Sequence, residues 1–245
     1  MYGGATSDGT ITSQLWSLNL STKEWNLIPS IANGNGKCHH RSAGLCDGPV
    51  ATCGHSAVLV KDKMYVIFGY NAVFGYLNWI QEYGIDSQQW SVVASTGALV
   101  QGSYGHSSVW DPLTKRIYVY GGYQSESSST YGLTDAFYSF DPAGKVWRTH
   151  PSSGSYRYLH SAVMSGGLML VYGGNTHNET AMSNGAKCYS SDFIAYDTVC
   201  DSWYRLFQPS AASVGGDLPR YGHLAASFGP TAGNSIDRCH YPSSR

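Results

Sequence analysis

An internal repeat constrains the fold of this chain more than any other sequence feature. Residues 102–122, GSYGHSSVWDPLTKRIYVYGG, show the first half of one copy: a histidine, a short apolar run, an Asp-Pro turn and a strand that ends in Gly-Gly. Asp suits the first position of such a turn and Pro the second. A β-branched and aromatic run bounded by glycine predicts a β-strand.

Copies of this unit recur along the chain. The repeated histidines are His55, His106, His160 and His223, which are 51, 54 and 63 residues apart. The repeated tryptophans are Trp25, Trp90, Trp147 and Trp203, which are 65, 57 and 56 residues apart. This pattern resembles the kelch repeat, in which each copy forms a four-stranded blade of a β-propeller. We therefore predict an all-β fold: a partial kelch β-propeller with about three complete four-stranded blades and parts of two more.

The repeats also predict the domain boundaries. The kelch-repeat array covers residues 1–228, and a non-repeat tail covers 229–245. The blades are expected at about 1–30 (partial), 54–93, 104–149, 157–206 and 220–228 (partial). Because the array starts and stops inside a blade, we interpret the chain as a fragment of a longer protein.

The repeated histidines and tryptophans are predicted to be structural. One such residue per blade follows from the symmetry of the repeat, and a buried imidazole would hydrogen-bond neighbouring backbone. The tryptophans are expected to pack between blades. Cys38-His39-His40 is the only dense run of metal-ligand residue types, and it lacks a partner pair at zinc-finger spacing. We therefore predict no catalytic residues, no metal site and no cofactor.

The charge and hydropathy of the chain indicate which classes of partner it is expected to bind. The formal net charge is −1 and charged residues make up 13% of the chain, so electrostatics favour neither nucleic acid nor an anionic membrane. The uncharged stretch around 64–81 is interrupted by glycine and asparagine and is interpreted as strands, so no transmembrane segment is predicted here. The expected partner is a protein.

Cysteines and glycosylation motifs indicate a compartment. Six cysteines in a β-rich array favour an oxidising environment, with scattered free thiols as the alternative. Cys188 and Cys200 flank one strand, which would allow them to meet. The pairing of the remaining cysteines stays open: Cys38, Cys46, Cys53 and Cys239. Two acceptor motifs for N-glycosylation begin at Asn19 and Asn178, the latter in a long loop.

A narrower resemblance covers residues 97–203. The segments GALVQGSYGHSSV (97–109), RYLHSAV (157–163) and 173–203 resemble the kelch region of attractin and its relatives. These are large extracellular accessory receptors and adhesion proteins, mostly with a single membrane span. The resemblance implies a non-catalytic, protein-binding module at the cell surface, a Cys188–Cys200 disulfide and a glycan at Asn178. Residues 31–53 and the tail depart from the family.

Two other functions stay open at this stage. One is an intracellular kelch adaptor that presents substrates to a ubiquitin ligase, and the less favoured one is a copper enzyme resembling galactose oxidase. For the binding module, the loops 31–53, 123–133, 175–187 and 211–219 are expected to bind a protein ligand or cell-surface receptor. Arg157 and Arg220, in RYLH and RYGH, are candidate anchors. Alternatively, each arginine pairs within the repeat.

Overall fold

The computed structural model describes residues 1–29, 49–125, 131–176, 189–206 and 220–226. The chain divides into two compact units, of which the first comprises residues 1–95 with 100–104 and the second 96–99 with 105–245. Every regular element in the described ranges is a β-strand. The predicted all-β fold class is therefore confirmed.

The first unit contains a two-stranded and a four-stranded antiparallel sheet. The four-stranded sheet has the order β3-β4-β7-β8, and a small β5-β6 hairpin lies in the connection between β4 and β7. The strands are β1 (Leu15–Leu18), β2 (Trp25–Ile28), β3 (Ser56–Val60), β4 (Lys63–Ile67), β5 (Tyr70–Asn71), β6 (Gly75–Tyr76), β7 (Ile80–Gly84) and β8 (Gln89–Val92). Tyr2 bridges to Leu15, which places the start of the chain beside β1.

The second unit contains two further blades. Its sheets have the orders β10-β11-β14-β15-β9 and β16-β17-β18-β19, and a β12-β13 hairpin follows β11. The strands are β9 (Thr96–Gly97), β10 (Ser107–Asp111), β11 (Arg116–Tyr120), β12 (Tyr123–Ser125), β13 (Tyr131–Leu133), β14 (Phe137–Asp141), β15 (Val146–Thr149), β16 (Ser161–Ser165), β17 (Leu168–Tyr172), β18 (Phe193–Asp197) and β19 (Ser202–Arg205). The parallel strand β9 lies outside the predicted blades, since two residues carry no readable periodicity.

A recurring turn joins the last two strands of each sheet. It begins at Asn19, Gly84, Asp141 and Asp197 in successive sheets. Four residues later the backbone is left-handed in every case, with φ of 61° at Lys23, 55° at Gln88, 55° at Lys145 and 50° at Asp201. The side chains of Asp141 and Asp197 accept hydrogen bonds from the backbone two and three residues ahead, as Asx turns do. The constant turn length fixes the register of the tryptophan on the last strand.

The hydrophobic core of each unit lies between consecutive sheets. In the first unit Trp90 packs against Tyr2 and Tyr83, with ring centroids 4.6 and 5.0 Å apart. In the second unit Trp203 packs on Tyr120 and Phe137 of the preceding sheet, at 4.8 and 4.9 Å. The packing predicted between blades is therefore present at these two tryptophans.

The other two repeated tryptophans are Trp147 and Trp25. Trp147 is buried and contacts Phe140 of its own sheet at 5.0 Å. Trp25 is 51% exposed. Trp90 and Trp203 pack on a preceding sheet, and Trp25 lies on the first sheet of the chain, where the described residues include no preceding sheet.

Candidate functional site

The joint between one repeat and the next is built from the glycine pair and the histidine. The glycine that ends the strand, which is the second of a pair in three copies and follows Phe68 in the other, donates its N–H to the carbonyl three residues before the next histidine. These bonds run from Gly4 to Thr52 (2.8 Å), Gly69 to Ser103 (2.9 Å), Gly122 to Arg157 (2.8 Å) and Gly174 to Arg220 (2.7 Å). The joint recurs in both units, so the glycine pairs serve the fold.

The first glycine of the pair tolerates no side chain. At Gly121 φ is +68°, and a Cβ would lie 2.8 Å from the Arg157 carbonyl oxygen and 3.0 Å from the His160 ring. Gly173 meets the same groups of Arg220 and His223 at 2.6 and 2.9 Å. Glycine is therefore required at Gly121 and Gly173, whereas Phe68 holds the matching place in the first unit with a φ of 53°.

Two of the repeated histidines, His160 and His223, are hydrogen-bonded to serine in these joints. Nε2 of His160 lies 2.8 Å from Oγ of Ser107, and Nε2 of His223 lies 2.7 Å from Oγ of Ser161. Burial lowers the pKa of His160 well below its usual value, and the nearby Arg157 guanidinium lowers it further. Burial likewise lowers the pKa of His55 and His223.

The repeat predicted that these imidazoles bond to backbone, and it did not predict the serine partner. The sequence does contain a sign of this contact, since a serine directly follows His106 and His160. Each of these serines contacts the histidine of the next repeat. Within the described ranges, no three histidine, cysteine or acidic residues are grouped as they would be around a metal ion. The Cys38-His39-His40 run lies outside those ranges.

Arg157 is a structural residue and not an interface anchor, which corrects the sequence prediction. The side chain is completely buried. Its guanidinium donates to the Gly173 carbonyl at 2.8 Å and to Ser155 Oγ at 2.5 Å, and it lies 3.6 Å from the Asp192 carboxylate. The physical reason is that the end of β17 and the start of β18 present carbonyl oxygens that need donors. The alternative pairing within the repeat therefore holds for Arg157.

Arg220 occupies the matching sequence position but is exposed. Its backbone makes the joint described above, and its side chain remains accessible. It therefore stays a candidate binding residue.

The connection between the sheets of the second unit is held by buried polar groups. Burial raises the pKa of Tyr120 to about 12, so its hydroxyl stays protonated and donates to the Ser155 carbonyl at 2.5 Å. The Asp135 carboxylate accepts from the backbone of Gly154 at 2.9 Å. Trp203 Nε1 donates to the Pro151 carbonyl at 2.9 Å. These bonds fix residues 151–155 against both neighbouring sheets.

A serine, a histidine and an aspartate line up between the two sheets of the second unit. His150 lies 2.7 Å from Ser139 Oγ through Nε2 and 2.8 Å from Asp201 Oδ1 through Nδ1. Tyr196 also donates to Asp201. Burial would raise the pKa of Asp201, but hydrogen bonds from Tyr196 and His150 outweigh it and lower that pKa. The sequence analysis missed this network, because its members are 11 and 51 residues apart and share no motif.

This Ser-His-Asp network does not have the form of a nucleophilic site. Ser139 lies in the middle of β14 with no exposed surface, so its hydroxyl cannot reach a substrate. A serine nucleophile needs an accessible hydroxyl and donors aimed at the developing oxyanion. The network instead bonds β14 and the end of β15 to the β18–β19 turn.

The loop ends of the sheets carry tyrosine pairs. Tyr70 and Tyr76 lie 5.5 Å apart in the first unit. In the second unit Tyr189 and Tyr221 are stacked, with centroids 4.1 Å apart and an interplanar angle of 12°. Tyr221 is 48% exposed and adjoins Arg220 in the chain. An aromatic pair beside an accessible arginine can supply contact area and hydrogen bonds to a partner.

Several predicted site residues lie outside the described ranges, among them Asn178, Cys188 and most of the predicted binding loops. Cys200 is disulfide-bonded, and its partner is also outside those ranges. The pairing of Cys188 with Cys200 therefore stays a prediction. Cys53 is a free thiol. Asn19 is exposed in the β1–β2 turn. No helix in the described residues is long and apolar enough to cross a bilayer.

The sheets, their joints and their repeated turns define a kelch-type β-propeller. The model of the Attractin/LZTR1 beta-propeller family matches residues 1–233, and the chain belongs to this family.

Similar curated proteins have much longer chains. "Putative protein tag-53" of Caenorhabditis elegans is 34% identical over 239 residues, covering 94% of this chain and 16% of its own. "Multiple epidermal growth factor-like domains protein 8" of Homo sapiens is 26% identical over 244 residues, covering 94% of this chain and 8% of its own. "Kelch domain-containing protein 3" of Bos taurus is 26% identical over 162 residues, covering 63% and 40%. The chain therefore spans about a sixth or less of the first two relatives.

Proposed function

We propose that this chain is a non-catalytic, protein-binding module of an extracellular accessory receptor or adhesion protein. The full-length protein is expected to hold it at the cell surface through a single membrane span. The observation that carries the binding role is the stacked Tyr189–Tyr221 pair beside the exposed Arg220. Tyrosine and arginine are enriched among the residues that dominate binding energy at protein interfaces.

The contrast with the buried polar groups supports a binding role over catalysis. Arg157, His160 and Ser139 bond the sheets together and have little or no accessible surface. Accessible aromatic and cationic groups instead lie at the loop end of the second unit. A surface of this kind recognises a protein by contact area and has no chemistry to perform on it.

The disulfide at Cys200 supports an extracellular location. Structural disulfides form and persist in oxidising compartments and are rare in the cytosol. The similarity to a protein named for its epidermal growth factor-like domains agrees with this location. The intracellular adaptor is the rival proposal, and the similarity to a protein named only for its kelch domain gives it weight.

The binding role is tested with Tyr221→Ser and Arg220→Ala in the full-length protein. Each variant is expected to be secreted normally and to bind partner-bearing cells at least about tenfold more weakly, since ten-fold corresponds to about 1.4 kcal/mol. Leu113→Ser is the matched control. Leu113 is 48% exposed in the β10–β11 turn, at the opposite end of the strands of the same unit.

The outcomes separate the roles of these residues. Equal binding by the wild type and both loop-end variants would remove this surface from the site. Equal weakening by Leu113→Ser would indicate a general loss of folding. Stoichiometric copper in the purified full-length protein, together with oxidase activity, would favour the enzyme alternative.

A further inference from the structure

The β1–β2 turn of the first unit contains an accessible acceptor motif. Asn19, Leu20 and Ser21 form the Asn-x-Ser triplet that N-glycosylation requires, and all three residues are exposed. The triplet follows β1 directly and lies at the tip of the hairpin. A glycan is bulky and needs such a surface position.

The hydrogen bonds of the turn leave the acceptor atom accessible. Oδ1 of Asn19 accepts from the backbone N–H of Ser21 at 2.9 Å and of Thr22 at 3.2 Å. The Lys23 N–H donates to the Asn19 carbonyl at 2.7 Å, which closes the turn. Nδ2 of Asn19, the atom that would carry the sugar, has no hydrogen-bond partner among the described residues. The side chain is therefore fixed through its oxygen, and its nitrogen stays unengaged.

The other turns of the molecule show that asparagine is not needed for the fold at this position. Asp141 and Asp197 occupy the equivalent place and accept the same backbone hydrogen bonds through Oδ1. Gly84 begins the equivalent β7–β8 turn with no side chain at all. The amide nitrogen is the one group that Asn19 adds to what an aspartate would supply.

We propose that Asn19 carries an N-linked glycan. The Nδ2–C1 bond would form as the C1–O bond to a lipid diphosphate-linked oligosaccharide donor breaks, and Nδ2 would lose a proton. This inference rests on the proposed extracellular location, because the donor and the transferase act in the secretory pathway. The glycan would lie beside three exposed apolar side chains, namely Leu18, Leu20 and Trp25, of which Leu20 is 82% exposed.

The test is peptide mapping of the full-length protein from cultured animal cells, before and after treatment with a peptide N-glycosidase. Asn19 is expected to be recovered as aspartate only after treatment. Asn19→Asp keeps the oxygen that closes the turn and removes the acceptor. Ser21→Ala keeps the asparagine and removes the hydroxyl. Each variant should lose one glycan, seen as a single step in electrophoretic mobility, whereas Ser21→Thr should retain it.

An unmodified Asn19 in the mature protein overturns the inference. The presence or absence of a glycan at Asn178 then shows whether the proposed extracellular function is overturned as well. A glycan at Asn178 with a bare Asn19 overturns the inference alone. A cytosolic protein with no glycan at either position overturns both. Normal secretion of Asn19→Asp would exclude misfolding as the cause of a lost glycan in that variant.

Discussion

Individual buried polar residues hold the second unit together at its joints. His160 has a Ser107 hydroxyl at one nitrogen, and the Arg157 guanidinium lies nearby. A protonated imidazole would add a second positive charge to a site that water does not reach. Such a charge is costly unless it is paired, so the joint stabilises the neutral histidine only.

Acidification is therefore expected to weaken this joint. The folded-state pKa of His160 lies well below the unfolded value of about 6.5, so the unfolded state binds the additional proton. The contribution of His160 to the free energy of unfolding is therefore complete above the unfolded-state pKa and decreases as the pH falls through it. Between pH 7.5 and 5.5 the free energy of unfolding is therefore expected to decrease. Hydrogen exchange of the β16–β17 amides, corrected for the intrinsic pH dependence, measures it.

His160→Gln is the matched variant, because glutamine can bond to Ser107 but does not titrate over this range. Its opening free energy should depend less on pH than that of the wild type. An identical pH dependence in both proteins would show that His160 does not contribute, and would leave His55 and His223 as the sources.

At the scale of elements, the recurring turn explains how sheets of different sequence keep the same register. In three of the four turns the side chain at the first position caps the backbone, and in all four a left-handed residue four positions later returns the chain to the next strand. Lysine occupies the left-handed position at Lys23 and Lys145, and glutamine at Gln88. Since these side chains are not glycine, the hydrogen bonds of the turn must outweigh the cost of left-handed backbone.

Asp141→Ala and Asp141→Asn test the turn. The alanine variant loses the two hydrogen bonds to Ala143 and Gly144 and should destabilise β14–β15 by about 2 kcal/mol. The asparagine variant keeps an oxygen at Oδ1 and should lose less than half as much. Thermal unfolding and hydrogen exchange of the two strands would measure both. Equal losses in the two variants would contradict the proposed role of the oxygen.

The repeat predicted the elements well because each strand has its own local pattern. The β-branched and aromatic run of β11 and the Asp-Pro turn before it are readable over about ten residues. The joints were less predictable, because their partners are one repeat apart. Arg157 and Arg220 both precede a Tyr-x-His segment, yet one is buried and the other exposed. No local signal distinguishes them, since burial is decided by Gly173, Ser155 and Asp192.

At the scale of the whole molecule, cysteine chemistry distinguishes the two proposed locations. Under denaturing, non-reducing conditions, we expect a thiol reagent to modify Cys53 and to leave Cys200 unmodified until a reductant is added. Peptide mapping should recover Cys188 linked to Cys200. Reaction of all six cysteines without reductant would favour the intracellular adaptor. A bridge from Cys200 to another cysteine would preserve the extracellular location and contradict the predicted pair.

The hydrogen bond between Ser107 and His160 has a consequence for how such arrays evolve. The strands of each sheet come from one repeat, but the histidine ring that is buried against the sheet comes from the next repeat. The segment that is duplicated in evolution is therefore not the segment that packs as one sheet. When a repeat is duplicated or exchanged, its histidine contacts the serine of a different preceding repeat. A duplicated or exchanged repeat is therefore expected to form this joint only where its neighbour supplies the matching serine, histidine and glycine at the boundary.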